Sequence, residues 1–279
     1  MNERNNTQLE RAKAHFYSWR FTESYNILRL YFSRLPFQPE REHAEYIGIF
    51  TRVLAELGKS RELEFYMLEL ERLHRRTPTP LIAFQLAMVY RNLPQPRIKE
   101  TIALLEKLVS DPSAKEYQIK AKMMLAHCYD WLESDTKHCR EIIDSIEDPE
   151  ERDLKIMLDL WRAKLDRDEG KPKKALLILN SVLDELMLPH DWYLYFSAKI
   201  LLADLYLGQR NLKAAQAHLV DIRDLLTGRR FRAIEIQVEA LEKRAKEAGL
   251  NLDSQTRPAP EDLSRASLRR PTEVNLLGL

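Results

Sequence analysis

A small side chain returns along this sequence at a nearly fixed interval. Ala12, Thr51, Ala87, Ala126, Ala163, Ala203 and Ala240 are separated by 39, 36, 39, 37, 40 and 37 residues. Each sits inside a segment rich in Leu, Ala, Glu, Lys and Arg, with apolar residues spaced at 3.6 and little β-branched alternation. A period in this range marks stacked helix pairs, each too small to bury its own apolar face. The small residue belongs where two helices cross, because only a short side chain lets the backbones approach.

Proline supplies the punctuation. Ten of the 13 prolines fall between Pro36 and Pro189, where the apolar period stops or restarts. Asp148-Pro149-Glu150-Glu151 reads as a capped helix start, and Thr77-Pro78, Asp111-Pro112 and Lys171-Pro172 read the same way. Glycine is scarce, with seven in 279 residues. Phosphate-cradling loops and most all-β folds need more, so an all-α protein is expected. Lys+Arg 44 against Asp+Glu 43 leaves a net charge of +1, which argues against a surface built to neutralise nucleic-acid phosphates or to lie on an anionic membrane.

The clearest unit runs Leu202-Ala203-x-x-Tyr206-x-x-x-Arg210-Asn211-Leu212-x-x-Ala215-x-x-x-Leu219-x-x-Ile222, and Ala163, Gly170, Ala175, Leu179 and Val182 repeat its scheme. On these residues, and on Ala87-x-x-Tyr90 and Ala126-x-x-Tyr129, the sequence resembles the tetratricopeptide repeat family over about residues 7–250. The first two units match it less closely, with Trp19-Arg20-Phe21 where the family turn has glycine and Thr51 in place of Ala. The resemblance implies a right-handed superhelical solenoid of antiparallel helix pairs, six of them closed by a seventh first-type helix. The expected organisation is a flexible N-terminus at 1–6, a repeat domain at 7–250, and a disordered tail at 251–279 with three prolines and balanced charge.

The resemblance also places the partner-binding surface, on the concave face of the first helices. The inward positions are the residue after each small residue, those four and five further on, and the one three before it. They hold Arg52, then Phe84, Met88, Arg91 and Asn92, then Met123, His127, Asp130 and Trp131, then Leu160, Lys164, Arg167 and Asp168. Aromatic, Met and Arg side chains are what such surfaces enrich, whereas Phe84, Met123 and Leu160 are equally suited to packing between helices. The binding set is therefore Arg52, Phe84, Met88, Arg91, Met123, His127, Trp131, Lys164 and Arg167. Family members that grip the acidic C-termini of chaperones share a Lys-x-x-x-Asn spacing, absent from this sequence, so such tails are excluded as partners.

Chemistry is not expected. His127-Cys128 and His138-Cys139 have the inventory of a zinc site, yet adjacent residues on a helix point about 100° apart and cannot chelate one ion together. Cys139 falls instead at the small crossing position that Ala175 and Ala215 fill later. Asp166-Arg-Asp168-Glu-Gly170 echoes a calcium loop but lacks the remaining ligands, and Gly170 suits a helix C-cap. No cofactor and no metal are expected, and no nucleophile or metalloprotease motif occurs.

The function expected is a non-enzymatic, cytoplasmic adaptor that captures a partner helix or extended segment with acidic flanks, an RNA-reading helical repeat being the alternative class. No stretch has the length of a membrane span. The tail adds Leu276, Leu277 and Leu279, an apolar end suited to docking on the array or on another protein.

Overall fold

The computed structural model describes residues 3–17, 20–33, 43–93, 95–133, 135–188, 191–227 and 232–250. Among them lie thirteen α-helices and no strand: α1 Glu3–Tyr17, α2 Phe21–Ser33, α3 Ala44–Glu56, α4 Ser60–Arg76, α5 Pro80–Arg91, α6 Ile98–Ser110, α7 Lys115–Glu133, α8 Thr136–Asp144, α9 Arg152–Asp168, α10 Pro172–Glu185, α11 Trp192–Gly208, α12 Leu212–Leu226 and α13 Arg232–Glu247. Helix α1 begins at Glu3, earlier than the sequence suggests. The tail from 251, with Leu276, Leu277 and Leu279, lies outside the described residues.

The protein divides into two compact units inside α11, one ending at Leu194 and the other starting at Tyr195. In the first unit each odd helix packs on the even helix that follows, each even helix on the next odd one, and successive odd helices touch: α1 on α3, α3 on α5, α5 on α7, α7 on α9. This is an all-α array of antiparallel pairs in sequence order. No described helix is long and apolar enough to cross a membrane.

One turn chemistry recurs after four odd helices. Gly58, Gly170, Arg210 and Gly249 follow odd helices in the left-handed region, at φ 67°, 73°, 57° and 94°. Each donates its N–H to the carbonyl three residues back, and the next residue reaches the carbonyl five back, as in Gly170 to Arg167 (3.0 Å) and Lys171 to Asp166 (2.7 Å). These bonds satisfy carbonyls that a helix end would leave open. Gly170 is thus the C-cap that the sequence indicates. Gly58 does the same for α3, and Arg20 reaches His15 (2.8 Å) without a glycine in the described turn.

Among the described residues Arg210 alone adopts this conformation with a side chain, at a cost of about 1–2 kcal/mol. Arg210→Gly relieves it but adds about 0.5–1 kcal/mol of unfolded-state entropy. A net gain of about 0.5–1 kcal/mol is expected in urea unfolding, and a loss of stability would show that the Arg210 side chain makes a compensating contact.

Arg20, Lys59, Arg97, Asp135, Lys171 and Asn211 each stand immediately before an even helix. The residue four further on, Ser24, Leu63, Thr101, Cys139, Ala175 or Ala215, is buried and returns its N–H to that first residue's carbonyl. Here the crossing is visible in hydrogen bonds: Ser24 Oγ donates to the Ala12 carbonyl (2.9 Å) and Cys139 Sγ to the Ala126 carbonyl (3.2 Å). Ala12, Thr51, Ala87, Ala126, Ala163 and Ala203 are all buried, and the Thr51 hydroxyl is satisfied by the Gly48 carbonyl at 2.8 Å. Ala240 breaks the series, being exposed; α13 buries the single stripe Ile234, Val238, Leu241 and Ala245 instead. Odd helices inside the array are covered on more than one side, so the small residue is pinched there, whereas α13 needs only one apolar stripe to pack on α12.

Ala175→Leu should therefore overpack α10 against α9 and cost about 1–3 kcal/mol, with exposed Lys173→Leu nearly neutral. Equal melting temperatures for the two variants would disprove this crossing.

Some helix starts differ from the sequence reading. α5 is capped by Thr79, whose Oγ1 accepts from Ile82 N (3.3 Å) with Pro80 in the first turn, rather than by Thr77-Pro78. α9 begins at Arg152 with Glu151 before it, and the Asp148 carboxylate pairs with Arg162 (2.9 Å). Lys171-Pro172 does open α10, and Asp111-Pro112 opens a single 3-10 turn.

Candidate partner-binding face

The first helices sort the expected inner-face residues by depth. Phe84, Met88, Met123 and Leu160 are buried. Phe84 and Met88 pack with Ile98, Leu105, Ala121 and Met124 in the core shared by α5, α6 and α7. Neighbouring odd helices touch, so these positions meet the next helix rather than solvent. Arg52 is buried too, with its guanidinium 4.6 Å from the Phe16 ring centre. The apolar centre expected of the binding surface is thus packing material.

What stays accessible lies toward the C-terminal ends of α5, α7 and α9: Arg91, Asn92, His127, Asp130, Lys164 and Arg167 are half-buried, and Asp168 is exposed. The Lys164 ammonium sits 2.7 Å from Asp130 and 3.0 Å from Asp168, and Arg167 lies 2.7 Å from Asp168. Two of the four expected cations, Lys164 and Arg167, are therefore neutralised by carboxylates of the same strip. Trp131 stands near the end of α7, beyond the described side chains.

The sequence reading passes over Trp161, two residues before Ala163. Its ring lies edge-on to His127 (6.0 Å between centres, 77°) with the Lys164 ammonium 5.5 Å away, and it is half-buried. A large aromatic side chain at an otherwise aliphatic helix position is the signal that marks it.

Burial, then the nearby Arg91 and Lys164 charges, lower the His127 pKa to about 4 against the pull of Asp130, so the imidazole is neutral at pH 7. Burial also disfavours the Arg91 charge, and the groups that favour it are the Tyr193 phenol and the Cys128 thiol. Cys128 and Cys139 are buried thiols pushed up to about 11, chiefly by desolvation, which keeps them protonated and unreactive. Among the described residues, no three His, Cys, Asp or Glu side chains are placed to share a metal ion.

A second polar feature is an open cleft of about 420 Å³ between α8, α9 and α10, lined by Arg140, Arg162, Asp166, Glu169, Lys171 and Lys174. Arg140 binds Asp166 (2.7 Å) and Glu169 (2.8 Å), and Lys171 binds Glu169 (2.6 Å). The three carboxylates of the calcium-like segment, Asp166, Asp168 and Glu169, are each spent on cations. Asp166 and Glu169 tie their hairpin to Arg140 of the preceding one, whereas Asp168 pairs within α9.

The sequence matches no protein-family model and no curated protein sequence. Among solved structures it is similar to a tetratricopeptide repeat protein from Parabacteroides merdae ATCC 43184, with 15% sequence identity over 90% of this chain and 95% of that one, and a TM-score of 0.49.

Proposed function

We propose that this protein is a non-enzymatic adaptor that holds a protein partner on the accessible strip of α5, α7 and α9. The supporting observation is that three successive first helices bring Arg91, His127, Trp161 and Lys164 to neighbouring, half-buried positions. Side chains of this kind, partly desolvated and carried on rigid helices, are where binding energy concentrates. The partner is an extended or helical segment that sets an apolar side chain on Trp161 and acidic residues toward the cations. Because Lys164 and Arg167 already face carboxylates, the strip offers no row of cations to a nucleic-acid backbone.

The test is affinity capture from the native cell, comparing the natural protein with Trp161→Ala and with the Arg91→Glu, Arg167→Glu double variant. Both variants should fold with an unchanged helical spectrum, and both should lose the proteins that the natural one retains. Retention of the same partners by both variants places the interface elsewhere. Salt-sensitive retention of RNA instead would replace the adaptor reading.

A further inference from the structure

Resting on the adaptor reading and narrowing its partner chemistry, we propose that Arg91 anchors a single carboxylate, with Asn92 orienting the guanidinium. The cations of the first unit divide by what already balances them. Arg140 is held by Asp166 and Glu169 and lies 3.8 Å from Asp144, so it has no charge to offer. Lys120 is only 7% exposed, but Glu151, Glu116 and Glu45 all act on its ammonium, against one further cation, Lys13. Lys164 and Arg167 share Asp130 and Asp168.

Arg91 differs from all of these. Among the described residues it has no carboxylate within the 4.0 Å of an ion pair, and its Nε is spent on the Asn92 side-chain oxygen at 3.3 Å. Its charge is felt by His127 and Cys128, and the groups that favour it are a phenol and a thiol rather than a carboxylate. A half-buried guanidinium without a counter-charge is costly, and its terminal nitrogens form a planar fork that matches two oxygens of one acceptor. The occupant is monoanionic: a phosphate dianion needs a second uncommitted cation, and the neighbouring Lys164 is committed. An acidic side group and a polypeptide C-terminus supply the same chemistry.

The experiment follows the ring signals of His127 by NMR in the full-length protein, titrated at constant ionic strength with N-acetylglutamate amide, N-acetylglycine or inorganic phosphate. Either carboxylate should move the His127 signals saturably, and the tighter of the two identifies the source as an acidic residue or a terminus. In Arg91→Gln the affinity should fall at least tenfold, while Arg91→Lys should retain part of it; the Lys variant decides the matter if Gln unfolds the protein. Equal response to phosphate, an unchanged titration in both variants, or no saturation would each overturn the proposal. Small probes report on this site alone, so the capture experiment can fail while the site stands, and the reverse.

Discussion

Replacing Phe50 by Ala should destabilise the protein by about 3–5 kcal/mol, the largest effect expected of any single truncation here. Phe50 is fully buried on α3, stacked on Phe32 of α2 (5.6 Å between ring centres), edge-on to Tyr66 of α4 (4.7 Å) and 5.9 Å from Tyr25. One ring thus joins three helices, and its loss forfeits both its transfer energy and the aromatic contacts. Helix-pair arrays couple mainly through nearest neighbours, so the damage should stay local. Amide exchange should accelerate roughly 150- to 5000-fold in α1–α4, in proportion to that energy, and less than about tenfold in α9 and α10. Equal acceleration in α9 and α10 would mean that the first unit opens as one block.

The period of small residues placed every odd helix, because a crossing tolerates few side chains and each occurrence constrains the next. Ala12, Ala87, Ala126, Ala163 and Ala203 all proved buried for that reason. The same signal failed at Ala240, where an array end removes the pinch that makes a small residue informative. Turns were legible where glycine marks the left-handed residue, as at Gly170, and illegible at Arg210, whose identity gives no hint of a φ of 57°.

Of the residues expected on the inner face, Arg91, His127 and Lys164 occupy half-buried positions, but helical phase does not report how closely neighbouring pairs stack. That spacing is what buries Phe84, Met88, Met123 and Arg52. Nor does sequence show pairing across helices. Asp130 and Lys164 are 34 residues apart, and only the fold brings them to 2.7 Å, turning an apparent cationic edge into a neutral network.

Acid should weaken the protein through His127 before most carboxylates protonate. An unfolded His titrates near 6.5, whereas burial and the Arg91 and Lys164 charges bring the folded one down to about 4. Above pH 6.5 neither state carries the proton and the stability is complete. Between 6.5 and 4 the unfolded state binds a proton that the folded state refuses, so stability falls as the pH falls, by about 3 kcal/mol in all; below 4 this site contributes no further loss. His74 and His218, whose pKa values burial also lowers, add to the decline with the same sign. Urea unfolding at pH 7 and pH 4.5 isolates His127 if the natural protein is compared with His127→Gln, since the other groups titrate alike in both. The variant should lose about 2–3 kcal/mol less than the natural protein between those two values. Arg91→Gln should give an intermediate result, because removing a neighbouring positive charge lets His127 accept its proton at higher pH. Parallel losses in all three proteins would show that His127 is solvated in the folded state, and would remove the neutral imidazole from beside Arg91.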